Sequence, residues 1–167
     1  MAADLSVPVL IAVNVLAWLA IHLGLAWLGT RLPAGVFDPE DWPYRRRGWE
    51  RGGRLYQSLF AVRRWKGLLP DGAALFAGGF PKASLRELSG EYLRRFIVET
   101  CRGEAVHWAV LLCSPLFFLW NPWWAGLVMV AYGLAANLPC IIVQRYNRSR
   151  LRRLLRAMQD VSARHLN

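Results

Sequence analysis

The sequence predicts an all-α integral membrane protein with three transmembrane helices, N-terminus outside and C-terminus inside, and interfacial amphipathic helices on the cytoplasmic side. Three observations carry that prediction. The chain is 55% apolar and holds nine Trp in 167 residues, too apolar for a small soluble domain. Its apolar residues gather into three runs, approximately 7–28, 106–120 and 123–143. Its 21 Lys and Arg can all lie on one side of a membrane crossed by those runs. The length fits a single membrane domain covering 1–167.

The first run, "VPVLIAVNVLAWLAIHLGLAWL" from Val7 to Leu28, carries no formal charge and is long enough to cross roughly 30 Å of hydrocarbon. Asp4 precedes it and no Lys or Arg does, so it reads as a retained anchor rather than a cleaved signal. Of the polar residues inside it, His22 is expected to pack in the bundle or to hydrogen-bond another span, and the pattern assigns Asn14 no role. "LGTRLP", Leu28 to Pro33, closes the span with a helix stop and places Arg31 at the interface.

The cytoplasmic segment 31–105 follows. Its stretch "RRRGWERGGRLYQSLFAVRRWKGLLPDG" interleaves Arg with Trp, Tyr, Leu and Phe, as a helix lying in the headgroup plane would, bracketed by Gly52, Gly53 and a Pro70 to Gly72 turn. Ser84 and Glu87 match a capping box and predict a helix from about Leu85 that runs on into the second span. Asn121 and Pro122 separate spans two and three as a tight hairpin, with Trp120, Trp123 and Trp124 at an interfacial tip. A basic cytoplasmic tail, 144–167, ends the chain.

Charge placement tests this topology. Of 21 Lys and Arg, 14 lie between Arg31 and Arg102 and seven follow Gln144, which puts every one inside. The net charge of +10 sits beside apolar spans, which favours anionic headgroups or an anionic ligand over nucleic acid. Cys101, Cys113 and Cys140 have neither disulfide nor metal-site spacing and read as buried thiols, so no metal centre is expected.

Ionisable residues at membrane depth are costly and mark candidate sites. On one helix, Glu104 and His107 stand about 60° and one turn apart, close enough to touch, with Glu99 and Arg102 nearby. A carboxylate beside an imidazole sets its tautomer and raises its basicity, as a general base acting on a hydroxyl requires; the alternative is an interfacial pair that satisfies itself. Asn137 lies within the third span two residues before Pro139, and Gln144, Arg145, Tyr146, Asn147 and Arg148 appear at its cytoplasmic end. Arginine forks there suit phosphate or carboxylate, or else anchor the helix by snorkelling to headgroups. The hairpin should bring Glu104 and His107 opposite residues 144–147.

The motifs "LGTRLP", "VRRWKGLLPDG", "IVETCRGEAVHW" and "ANLPCIIVQRYNRSRL" occur in the order and spacing of the glycosyl-4,4'-diaponeurosporenoate acyltransferases of staphyloxanthin-type carotenoid biosynthesis, a family this chain resembles from about Gly29 to Leu151. The resemblance implies transfer of a fatty acyl group to the primary (C6) hydroxyl of a glycosylated carotenoid or similar glycolipid, in the cell membrane of a bacterium. Arg31, Pro33, Trp65, Lys66, Asp71, Gly72, Glu99, Thr100, Arg102, Glu104, His107, Trp108, Asn137, Pro139, Gln144, Arg145, Tyr146, Asn147 and Arg148 fall in the shared motifs; Cys101 and Gly103 depart from them. The resemblance assigns no catalytic roles; by their chemistry His107, Glu104, Glu99 and Arg102 are the catalytic candidates. Arg31, Trp65, Lys66, Asn137, Gln144, Arg145, Tyr146, Asn147 and Arg148 are the substrate-binding candidates.

The expected reaction has His107, oriented by Glu104, deprotonating a sugar hydroxyl that attacks an acyl-CoA or acyl carrier protein thioester at the cytoplasmic face. Gln144, Asn147 or Arg145 would stabilise the oxyanion, and Arg63, Arg64 and Lys66 would hold donor phosphates. No bound cofactor is expected. Two other functions fit the same residues: another small membrane group transferase such as a methyltransferase, or a non-enzymatic protein that holds anionic membrane lipid. Three spans are few for enclosing two substrates, which leaves room for a homodimer.

Overall fold

Two helices dominate the computed structural model, which describes residues 6–69, 79–82 and 84–164. Helix α1 (Val7–Arg31) and helix α5 (Trp123–Arg164) are both long and apolar enough to cross a membrane. Between them come α2 (Arg54–Phe60), α3 (Val62–Trp65) and α4 (Gly90–Leu112), with 3-10 turns at Ala34–Val36, Gly48–Gly53, Lys66–Leu68 and Ser114–Leu119. All regular elements among the described residues are helical. Three runs were expected to be helical spans, and the described helices that pass on length and hydropathy are α1 and α5.

The second apolar run differs from its expected form. Helix α4 stops at Leu112, and the rest of 106–120 is a turn and a 3-10 helix. Pro115 is the cause: it has no N–H for the Leu111 carbonyl, which the Ser114 hydroxyl takes instead at 2.7 Å. The predicted start also moves. Helix α4 begins at Gly90 with Ser89 as its cap, the Ser89 hydroxyl accepting the Tyr92 amide at 3.2 Å. Residues 85–89, where the capping pattern predicts helix, carry none, and Leu85 and Leu88 are exposed.

The expected interfacial helix is broken into pieces. Gly52 and Gly53 have φ of 65° and 87°, and Ala61 has φ of 46°, so the chain turns sharply before and after α2. The proposed bracket at Gly52 and Gly53 therefore exists; the Pro70 to Gly72 turn lies outside the described residues. The irregular segment from Leu32 to Gly53 forms a belt across α4 and α5. Arg152 ties it down through the Pro39 carbonyl at 2.7 Å and Glu40 at 2.8 Å, and Arg145 through the Pro43 carbonyl.

Helices α4 and α5 pack as an antiparallel hairpin with three small cores along it. Phe80, Leu93, Phe96, Ile97 and Leu151 fill one end. Tyr56, Val62, Val143 and Tyr146 join α2 and α3 to α5, while Trp18, Val110 and Phe117 join α1 to the hairpin. Leu93, Val62 and Phe117 are fully buried, and for Leu93 and Val62, outside the spans, that is worth roughly 1.5–3 kcal/mol of apolar transfer each. Helix α1 approaches α4 closely at Gly29, where a Cβ would stand 2.6 Å from Val106 Cγ2.

The far end of α1 is pinned by polar bonds. Asn14 and Asn121 exchange side-chain hydrogen bonds of 2.9 and 2.8 Å, and Trp120 Nε1 donates to Asn14 Oδ1 at 2.8 Å. Asn14 thus links α1 to the hairpin tip, a role its sequence context left open. His22 instead bonds its own helix, at the Trp18 carbonyl. Helix α5 has 42 residues and runs through Pro139, a length of about 63 Å at 1.5 Å rise per residue. That is twice the hydrocarbon thickness of a bilayer.

Candidate active site

Glu104 is fully buried on the face of α4 that meets α5. Its carboxylate accepts from Arg145 Nε at 2.7 Å, from Arg148 Nη2, and from Trp108 Nε1 at 3.3 Å. The network continues outward. Arg145 Nη1 donates to Glu50 Oε1 at 3.0 Å, and Glu50 also accepts from the Tyr56 hydroxyl at 2.6 Å and the Arg47 amide at 2.9 Å. Arg148 donates to Cys101 Sγ at 3.3 Å and lies 5.8 Å from the Tyr44 ring centre.

Two carboxylates and two guanidiniums thus form a charge-balanced cluster that locks the belt onto the hairpin. Burial alone would raise the Glu50 carboxyl, but the hydrogen bonds from Tyr56 and Arg47 and the charge of Arg145 outweigh it and hold it below the ordinary range. Burial and the Glu50 charge push the Tyr56 hydroxyl upward. Burial raises the Cys101 thiol against the pull of Arg148, so the thiolate is disfavoured. Cys101 is a buried thiol, as its sequence context indicates.

His107 stands on the adjoining face and does not hydrogen-bond Glu104. Its Nδ1 is 2.9 Å from Asn137 Oδ1, and Asn137 Nδ2 donates to the Gly133 carbonyl at 2.9 Å. A carbonyl can only accept, so the Asn137 amide nitrogen must point at Gly133 and its oxygen at His107. His107 Nδ1 therefore carries a proton, and in the neutral imidazole Nε2 is the acceptor. The expected Glu104–His107 pair is corrected on two counts: the arginines of α5 claim the carboxylate, and an amide of α5 sets the imidazole tautomer.

The other candidates separate into distinct places. Glu99 pairs with Arg102 at 3.1 Å, and Arg102 also donates to the carbonyls of Gly29 and Leu32. It thereby caps the C-terminal end of α1 and stacks 4.7 Å over Phe37, a structural task rather than a chemical one. Arg31 is exposed and lies over Trp27, apart from the polar cluster. Lys66 donates to Asn147 Oδ1 at 3.4 Å and lies 5.8 Å from the Tyr146 ring, while Trp65 Nε1 donates to the Phe60 carbonyl. Lys66 is lowered by burial and by its neighbours Arg150 and Arg63.

Gln144 packs against Gly103, and its buried Oε1 has no hydrogen-bond partner among the described residues. It follows Asn137 by seven residues on α5, two turns along the same face, as Gly103 precedes His107 by one turn on α4. Sequence reasoning missed Glu50, Tyr56 and Tyr44. Glu50 is the lone acid between Arg45 and Arg54, and that isolation was the available signal. Among the described residues no group of His, Cys, Asp and Glu could hold a metal ion.

Comparison with known proteins completes the assignment. The profile of the glycosyl-4,4'-diaponeurosporenoate acyltransferases matches residues 39–157. Proteins named glycosyl-4,4'-diaponeurosporenoate acyltransferase from Staphylococcus aureus strains bovine RF122 / ET3-1, Newman and USA300 are each 34% identical over 148 residues, 89% of this chain and 89% of theirs. No solved structure matches the chain. These relationships select acyl transfer over methyl transfer and over a non-enzymatic lipid-holding role. The chain belongs to the glycosyl-4,4'-diaponeurosporenoate acyltransferase family and is an acyltransferase.

Proposed function

We propose that this enzyme moves a fatty acyl group from an acyl thioester to the primary C6 hydroxyl of a glycosylated carotenoid acid, with the reaction at the cytoplasmic face of a three-span bundle. The single observation that supports the chemical assignment is the Gly133–Asn137–His107 chain, which in the neutral imidazole makes Nε2 the base. The sugar hydroxyl gives its proton to Nε2 as its oxygen attacks the thioester carbonyl. The C–S bond then breaks, and the leaving thiolate takes the proton back from the imidazolium.

The oxyanion needs a donor not already engaged. Arg145 and Arg148 are engaged by Glu104, which leaves the Gln144 amide on the same seam as His107 and, one turn further along α5, the Asn147 amide nitrogen, whose oxygen accepts from Lys66. Its unpartnered Oε1 suits a second sugar hydroxyl as donor. Glu104 acts by holding Arg145, Arg148 and the belt in place.

The test is acyl transfer by the purified full chain from labelled long-chain thioesters to a glycosylated carotenoid. His107→Gln is expected to lose roughly 10²- to 10⁴-fold in kcat while remaining folded. Undiminished turnover by that variant would remove His107 from the chemistry.

A further inference from the structure

The hairpin carries a second polar feature, remote from His107. Near the N-terminal end of α4 and the C-terminal part of α5, a cleft of about 350 Å³ is lined by Glu40, Arg94, Ile97, Arg152, Leu155 and Arg156, among others. Its size falls within the roughly 300–1,000 Å³ typical of small-molecule sites. Three guanidiniums meet one carboxylate, and that carboxylate is spent on Arg152. Arg94 and Arg156 form no ion pair or hydrogen bond with any described residue. The lining thus presents uncompensated forks, which suit phosphate, above the apolar side chains of Ile97 and Leu155.

Position along α5 separates a soluble anion from a lipid headgroup. Arg152 and Arg156 lie nine and 13 residues beyond Val143, or about 14 and 20 Å along the helix. The headgroup layer is only about 5–8 Å deep on each side of the hydrocarbon. The cleft therefore stands clear of the headgroups on the proposed topology. Along α4, Arg94 precedes His107 by 13 residues, about 20 Å. That separation is comparable to the reach of an extended phosphopantetheine arm.

Resting on the acyl-transfer reading above, we propose that this cleft binds the phosphate-bearing nucleotide end of a coenzyme A thioester, whose pantetheine arm runs along the hairpin to the His107–Asn137 pair. The nucleotide phosphates engage Arg94 and Arg156, and the acyl chain enters the membrane beside the spans. The Arg63 and Lys66 flank is the competing basic surface, but there the ammonium is already spent on Asn147 and the Tyr146 ring.

The experiment has a binding arm and a kinetic arm, both on the full chain in nanodiscs. Free coenzyme A is titrated against wild type, Arg94→Glu/Arg156→Glu and the milder Arg94→Gln/Arg156→Gln, at low and high salt and with neutral or anionic lipid. The double reversal is expected to weaken coenzyme A binding at least tenfold, the glutamine pair less, and added salt is expected to weaken the wild type. In kinetics, the reversal should discriminate at least tenfold in KM against an acyl-CoA relative to the matching acyl-N-acetylcysteamine thioester, which has no phosphates.

Coenzyme A binding that is indifferent to these arginines would overturn the site, as would an equal loss with both thioesters. Loss produced instead by Arg63→Glu/Arg64→Glu, or an arginine effect seen only as a change in anionic-lipid dependence, would overturn it too. Transfer from acyl carrier protein by an enzyme that binds no coenzyme A would likewise refute it. Arginine-dependent coenzyme A binding with no transfer from any thioester would sink the acyl-transfer reading and leave the site standing.

Discussion

Glu104→Gln isolates the task of the buried carboxylate. The wild-type side chain has no exposure and balances the guanidiniums of Arg145 and Arg148. Glutamine keeps the shape but offers one neutral acceptor, so its amide nitrogen must face a cation. Breaking a buried pair by removing one partner costs about 3–5 kcal/mol. At about 1.4 kcal/mol per factor of ten, the ratio of folded to unfolded protein falls roughly 140- to 4,000-fold. For a chain of this size a kcal/mol is worth roughly 2–4 °C, so Tm should drop by about 6–20 °C. Glu99→Gln is the milder comparison: its partner Arg102 keeps the carbonyls of Gly29 and Leu32, and the expected loss is that of one charge-assisted hydrogen bond, about 1.5–3 kcal/mol. Thermal unfolding followed by Trp fluorescence, with kcat measured well below each Tm, reads both. A Glu104→Gln protein that melts within about 2 °C of wild type yet loses kcat would refute the structural assignment and return Glu104 to the chemistry.

Two further outcomes follow from other polar clusters. Asn14→Ala removes the acceptor of Trp120 and Asn121 and the donor to Asn121, at roughly 1 kcal/mol or less per bond in a membrane. A cysteine pair across α1 and the hairpin tip should cross-link more slowly in that variant, and an unchanged rate would deny the clamp. Glu50 has its carboxyl held below the ordinary value, so its stabilisation is fully present above the ordinary Glu value of roughly 4.3 and disappears as pH falls through the lower folded value. Tyr56→Phe deletes one of the bonds responsible. Its acid unfolding should begin at higher pH than that of wild type, and coincident acid transitions would show that the hydroxyl does not depress Glu50.

The readable parts of this chain were those set by local pattern, and the misread parts were those decided across it. Apolar runs, the Asn121–Pro122 hairpin and the polar positions on α4 and α5 follow from residues next to one another. The capping pattern at Ser84 was sound locally, but Leu85 and Leu88 are exposed among the described residues. Helix nucleation is repaid by packing, so α4 starts where Leu93 and Phe96 meet Leu151 and its neighbours. Glu50 was invisible because its partner Arg145 lies 95 residues away. The helical wheel placed Glu104 and His107 within reach of each other, yet α5 enters the seam between them. Two cations then attract the carboxylate more strongly than a neutral imidazole can.

The same competition explains where a substrate can act. Polar bridges recur along the hairpin: the Asn14–Asn121 exchange at the tip, the His107–Asn137 pair in the middle, and the Glu104–Arg145–Arg148 cluster beneath the belt. In the first and last of these the carboxylate and amide groups are already engaged, and a satisfied network of this kind specifies a fold. The middle seam keeps unused valence, His107 Nε2 and the buried Gln144 oxygen. A buried acceptor without a donor is costly unless something supplies one. In the proposed reaction a sugar hydroxyl would supply a donor to each, which is why the middle seam, and not the two satisfied bridges, is where that proposal places the substrate.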